Sequence, residues 1–167
     1  QKALQVATDH ALVNMPTFAG KHVFVCPDIS GSMNCAVTGQ RAGATSVVSC
    51  ADVAALTAAA VLAKNPSAKV IPFSDHVAGV FTKDSAGFNA GVLQTTEAIR
   101  KLPSGGTNCA APVEWVLKNE KVVDVLILVS DNESWINSRS GNGSGVMAAW
   151  TEIKKRNPNA LLVCIDL

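Results

Sequence analysis

Apolar residues recur along this chain in two alternating periods, and the alternation predicts its architecture. The segment Ala3–Leu12 places Leu4, Val6, Ala7, Ala11 and Leu12 at helical spacing, which predicts a helix packed on one face of a sheet. Pro16 and Gly20 break the chain before His22–Cys26, a short apolar run that reads as a buried strand. A Gly-, Thr- and Ser-rich loop reaches Ser49, and the alanine-rich stretch Val53–Lys64 then predicts a helix. Ser49 or Asp52 caps that helix and Asn65-Pro66 ends it. Lys69–Phe73 reads as a second strand whose end is irregular at Pro72. After the turn Ser74–His76, the run Val77–Thr82 predicts an antiparallel edge strand. Helices follow over Phe88–Lys101, closed by Leu102-Pro103, and around Val113–Lys118. Val122–Val129 is almost wholly apolar and therefore predicts the central strand. A polar loop Asp131–Gly145, a helix Val146–Arg156, a break at Asn157–Asn159 and a last strand Ala160–Leu167 complete the pattern.

Strands alternating with helices define an α/β class. The expected fold is a doubly wound, mostly parallel sheet with one antiparallel edge strand and helices on both faces. It forms a single domain over residues 1–167, of which 1–20 are a leading helix and linker. Composition supports this: 48% hydrophobic and 16% charged residues, with a mean hydropathy of +0.24, favour a sheet covered on both sides. No apolar run is long enough to span a bilayer, and the N-terminus lacks the features of a secretory signal. The chain begins at Gln1 and stops on a strand with no helix after it, so it reads as a fragment, expected to be monomeric. A net charge of +1 lacks the basic balance of a dedicated nucleic-acid domain. Cys26, Cys35, Cys50, Cys109 and Cys164 form no CxxC pair and read as reduced thiols of a cytoplasmic protein. Cys26 and Cys164, inside apolar strand patterns, behave as small hydrophobes.

The chemistry concentrates at Asp28-Ile29-Ser30-Gly31-Ser32, directly after the first predicted strand. A carboxylate and two hydroxyls alternating with neutral residues there make a hard oxygen donor set. Such a set suits Mg²⁺ or Mn²⁺. Open α/β sheets also bind ligands outside the carboxyl ends of their strands. Two more donors fall at matching places: Thr107, after Gly105-Gly106, and Asp131, at the tip of the central strand. Only Asp28 and Asp131 of these five are charged. So little negative charge leaves the cation electrophilic, ready to take a further anionic oxygen from an outside partner.

Two other readings of these residues are weaker. Asp28 and Ser30 could simply cap a loop, but that leaves Thr107 and Asp131 without a role. An aspartyl-phosphate phosphatase would need a second carboxylate two residues after Asp28, where Ser30 stands, and a lysine near Gly106 or Asp131. Arg41, Lys154, Lys155 and Arg156 are candidates for phosphate contact, although a basic run at a helix end also suits the helix dipole and solvent. Arg139 and Glu133 read as surface charge, and Trp135 as packing over the sheet edge in preference to base stacking. Trp115 and Trp150 fall in helices as core residues. His10, His22 and His76 lack metal-ligand spacing.

Asp-x-Ser-x-Ser, then Thr107, then Asp131 resembles the metal-ion-dependent adhesion site of von Willebrand factor A domains. That resemblance implies direct or water-exchanged coordination by Ser30, Ser32 and Thr107. It also implies that Asp28 and Asp131 act mostly through water, with the sixth position left for a ligand's acidic group. Gly105–Pro112, Val129–Trp135, Lys155–Pro158 with Leu162–Asp166, and Ala63–Pro66 with Lys69–Phe73 are similar to the A domain of Ro-family (TROVE-module) RNA-binding proteins, especially bacterial ones. The closer resemblance implies a C-terminal A domain separated from an N-terminal ring of helical repeats and from a C-terminal tail. It implies a non-enzymatic, metal-dependent module of a ribonucleoprotein that binds small noncoding Y-like RNA and serves RNA quality control. The alternatives within the class are an adhesion domain that recognises an acidic side chain of a protein, and an A-domain partner of ATP-driven chelatases or chaperones.

Overall fold

The computed structural model describes residues 2–38, 46–131 and 145–167. The elements are α1 (Lys2–Ala11), β1 (Val23–Pro27), α2 (Cys50–Lys64), β2 (Lys69–Val70), α3 (Val92–Arg100), α4 (Ala110–Asn119), β3 (Val125–Ser130), α5 (Gly145–Arg156) and β4 (Leu161–Asp166). The four strands form one sheet in the order β2-β1-β3-β4. Every ladder is parallel, with Val23 opposite Val125, Phe24 opposite Lys69, and Val125 opposite Leu161. The chain therefore winds outward from β1 to β2, then restarts on the other side of β1 at β3. That reversal leaves a crevice at the carboxyl ends of β1 and β3, where open α/β sheets take ligands.

The period-2 pattern of the inner strands sorts their side chains onto two cores. Val23 and Val25 with Val125, Ile127 and Val129 meet the alanine face of α2 and Ile99 of α3. Phe24 and Cys26 with Leu126 and Leu128 meet Val113 and Val116 of α4 and Ala149, Trp150 and Ile153 of α5. β1 and β3 are buried along their whole length, each buried Val, Leu or Phe contributing roughly 1.5–3 kcal/mol of transfer free energy. α2 starts with a capping box: Ser49 accepts from the Asp52 backbone N–H at 3.1 Å, and Asp52 accepts from the Ser49 N–H at 2.8 Å. Trp150 is core as its spacing predicted, whereas Trp115 is half-buried. α1 packs beside α3, with Val6 55% exposed.

The antiparallel edge strand does not form. Residues 77–82 do run antiparallel to β2 and the segment after it, but they meet them at isolated bridges, Val70 of β2 with Phe81 and Phe73 beyond it with Val77. Pro72 sits between those bridges and has no N–H to give, so a continuous ladder is interrupted there. Pro72 also ends β2 after two residues, although Ile71 and Phe73 still donate to the Val25 and Pro27 carbonyls of β1. β4 is the other edge, and Leu161 and Val163 on it are 59% and 41% exposed.

Candidate metal centre

The residues after β1 are held by backbone bonds to three neighbours. Asp28 N–H donates to the Val129 carbonyl at 2.9 Å, Ile29 N–H to Phe73 at 2.8 Å, and Gly31 N–H to Gly105 at 2.9 Å. The Asn108 N–H donates to Ser74 at 2.8 Å, which ties the loop carrying Thr107 to the turn after β2. The rim is thus built where the loop after β1, the Gly105–Asn108 loop and the tip of β3 converge. Gly105 is needed for that approach, because a Cβ there would stand 2.8 Å from the Asp75 Oδ1 and 3.1 Å from the Ser74 Oγ.

Asp28 is 0% exposed, and its carboxylate takes two bonds: the Ser30 N–H to Oδ1 at 2.8 Å and the Ser130 hydroxyl to Oδ2 at 2.7 Å. Burial pushes its pKa above the usual carboxylate range. The bonds from Ser30 and Ser130 act against that rise, and the Asp131 charge adds to it. Among the described residues no Lys, Arg or His forms an ion pair with it. A buried carboxylate held by neutral donors, with a second carboxylate acting on it, is an anionic site that a cation would relieve.

The other candidate donors stand in the loops that meet at this rim. Ser30 is buried, and its Oγ stands 3.2 Å from the Ser32 Oγ. Ser32 opens the short 3₁₀ turn Ser32–Asn34. Thr107 is 2% exposed, two residues beyond the Gly105 carbonyl that anchors Gly31. Asp131 is half-buried at the end of β3. The residues fit a hard divalent cation by donor chemistry: all the predicted donors are oxygens, and hydroxyls outnumber carboxylates. Among the described residues no group of three or more His, Cys, Asp or Glu side chains is arranged to hold a metal ion.

Sequence reasoning did not single out two residues of this rim. Ser130 fixes the Asp28 carboxylate from the neighbouring strand, and its only sequence signal is its place before Asp131. Asp75 faces the Gly105 loop and bonds the Ser74 hydroxyl at 3.0 Å and His76 Nδ1 at 2.6 Å. Beside it opens a groove of about 420 Å³ lined by Asp75, His76, Glu114, Trp115 and Lys118 among others.

The basic run lies at the opposite end of the sheet, where α5 closes before β4. Arg156 Nη1 donates to the Leu117 carbonyl at 2.7 Å, Lys155 pairs with Glu152 at 2.6 Å, and Lys154 donates to the Pro158 and Ala160 carbonyls. These cations secure helix ends and the α5–β4 turn. Arg41, Glu133, Trp135 and Arg139 lie outside the described residues.

A parallel sheet of this order, with an oxygen-donor loop at its switch point, defines an α/β domain of the von Willebrand factor A class. Residues 22–164 match the family model for the Ro60 vWA domain, and the chain belongs to that family. It is 30% identical over 134 residues to RNA-binding protein RO60 of Caenorhabditis elegans, covering 80% of this chain and 19% of that protein. It is 27% identical over 135 residues to RNA-binding protein RO60 of Deinococcus radiodurans, covering 80% of this chain and 23% of that protein. The crystal structure of the Deinococcus radiodurans RO (RSR) protein superposes with a TM-score of 0.67 at 23% identity, over 98% of this chain and 30% of that one. The chain thus spans about a fifth of the length of the curated relatives it matches.

Proposed function

We propose that this domain is a divalent-cation-dependent binding module, not an enzyme, within a Ro-like RNA-binding protein. The observation that carries the metal reading is Asp28: a fully buried carboxylate, held by Ser30 and Ser130, beside Asp131 and the hydroxyls of Ser30 and Ser32. Mg²⁺ or Mn²⁺ bound there would supply Lewis acidity toward an outside oxygen. The chain's own residues hold the donors and orient Asp28 through Ser130. Two carboxylates only balance the charge of a dication, and its other donors are neutral hydroxyls, so the cation stays electrophilic and suits a carboxylate donated by a partner protein.

The relatives' names support an RNA partner for the parent protein; we further propose small noncoding, Y-like RNA as that partner and cytoplasmic RNA quality control as its setting. Lys154, Lys155 and Arg156 make bonds within the fold, which favours an RNA contact elsewhere in the parent, as the resemblance to Ro-family proteins implies. The test is a thermal melt of the chain in EDTA, Mg²⁺ and Mn²⁺. A ligand at about 100 times its Kd stabilises the native state by about 2.7 kcal/mol, so the midpoint rises with cation, and Asp28→Ala removes the rise. An unchanged midpoint in the parent with either ion would contradict the metal reading.

A further inference from the structure

The one sulfur–sulfur contact among the described residues is between Cys35 and Cys50, whose Sγ atoms are 3.5 Å apart. We propose that these two thiols are a redox modification site, closing to a reversible disulfide that pins the turn after the metal loop to the start of α2. The backbone already sets the pair. Cys50 N–H donates to the Cys35 carbonyl at 3.0 Å and Val37 N–H to Val48 at 2.9 Å, on either side of the antiparallel bridge Ala36–Ser49. Cys35 and Cys50 therefore stand beside each other across the bridge, and their sulfurs are about 1.5 Å from the S–S bond length of about 2.0 Å.

Exposure divides the roles. Cys35 is exposed, whereas Cys50 is buried at the first position of α2 and holds its proton up to a pKa of about 11, chiefly through burial. Cys35 as thiolate attacks a low-molecular-weight disulfide such as oxidised glutathione, forming a mixed disulfide and expelling one glutathione thiolate. The Cys50 sulfur, on losing its proton, attacks the Cys35 sulfur and expels the second. Two protein thiols are oxidised, one small disulfide is reduced to two thiols, and the protons pass to the leaving thiolates. Cys26 and Cys109 are buried, and Cys164 is exposed on β4 with no sulfur contact among the described residues, so Cys164 stops at the mixed disulfide. The inference does not depend on a bound cation.

The experiment incubates the chain in EDTA with graded ratios of reduced to oxidised glutathione, alkylates remaining thiols and maps peptides by mass spectrometry. The expected result is the loss of the Cys35 and Cys50 thiols as a cross-linked pair, beside a glutathione adduct on Cys164, all restored by dithiothreitol. Cys50→Ser leaves Cys35 as a glutathione adduct, and Cys35→Ser leaves Cys50 alkylatable only after unfolding. Recovery of Cys35 in the parent as the same adduct seen in Cys50→Ser, with Cys50 still a thiol, would overturn the proposal. So would cross-links joining either residue to Cys26, Cys109 or Cys164.

Discussion

Asp28 is a residue whose placement works against the stability of the fold. Its carboxylate is fully buried, its bonds come from a hydroxyl and a backbone N–H, and Asp131 opposes its charge. Its burial and the neighbouring charge raise the free energy of the metal-free fold relative to a neutral side chain of the same shape. Asp28→Asn keeps the shape and a hydrogen bond with Ser130 while removing the charge. In EDTA at neutral pH its unfolding midpoint in urea is expected at or above that of the parent, while its response to Mn²⁺ is lost. A variant well below the parent in EDTA would show that the carboxylate is structural. The candidate donors could be named from sequence because a carboxylate and two hydroxyls stand at alternate positions directly after a buried strand, and the loops that carry the candidates meet at the sheet rim. Ser130 and Asp75 were not, because their roles arise from contacts between loops far apart in sequence.

At the scale of elements, α2 is anchored at its start by both local and distant bonds. Burial pushes the Asp52 carboxyl up, but the Ser49 hydroxyl and N–H, with Arg100 at 2.8 Å, outweigh it and hold the group below its ordinary value. A depressed carboxylate contributes its stability above the unfolded pKa of about 3.9 and loses it as pH falls through the folded value. Ser49→Ala is expected to cost about 1 kcal/mol by urea unfolding at pH 7. Asp52→Asn destabilises at pH 7, and its difference from the parent narrows as the medium is taken below pH 4. The Arg100 pair adds little beyond this, since both side chains are partly solvated.

The Gly105 loop gives a second prediction at this scale. A methyl at Gly105 forces Asp75 away from Ser74, while the main cores are untouched. Gly105→Ala should therefore weaken Mn²⁺ binding several-fold, by isothermal titration, with a urea midpoint close to the parent's. Equal affinity would show that the loop tolerates the shift. The helix and strand periods announced α2, α5, β1 and β3 to within a few residues, since each has one uninterrupted pattern. The sequence flagged Pro72 as an irregular end but not its consequence, that residues 77–82 meet the neighbouring segment at isolated bridges and form no ladder.

At the scale of the molecule, the winding of β2-β1-β3-β4 makes the site. The outward turn from β1 to β2 and the restart at β3 bring Asp28 and Asp131 to one crevice, though they lie about a hundred residues apart in sequence. That topology was legible from alternating strands and helices, and Ro60 vWA family membership agrees with it. The outer edge of the sheet is less protected: β4 carries Leu161 and Val163 exposed. Unpaired apolar edges favour strand-to-strand association, so Leu161→Lys with Val163→Lys should reduce turbidity on concentration and leave Mn²⁺ affinity unchanged.

The measurement closest to the central claim is a direct Mn²⁺ titration of this chain followed by electron paramagnetic resonance. One saturable site should quench the free-ion signal at a stoichiometry of one per chain. Excess Mg²⁺ should displace it, and Asp28→Asn and Thr107→Val should each abolish it while the circular dichroism spectrum stays that of the parent. A free-ion signal unchanged by the parent protein, or a site that survives both substitutions, would contradict the account.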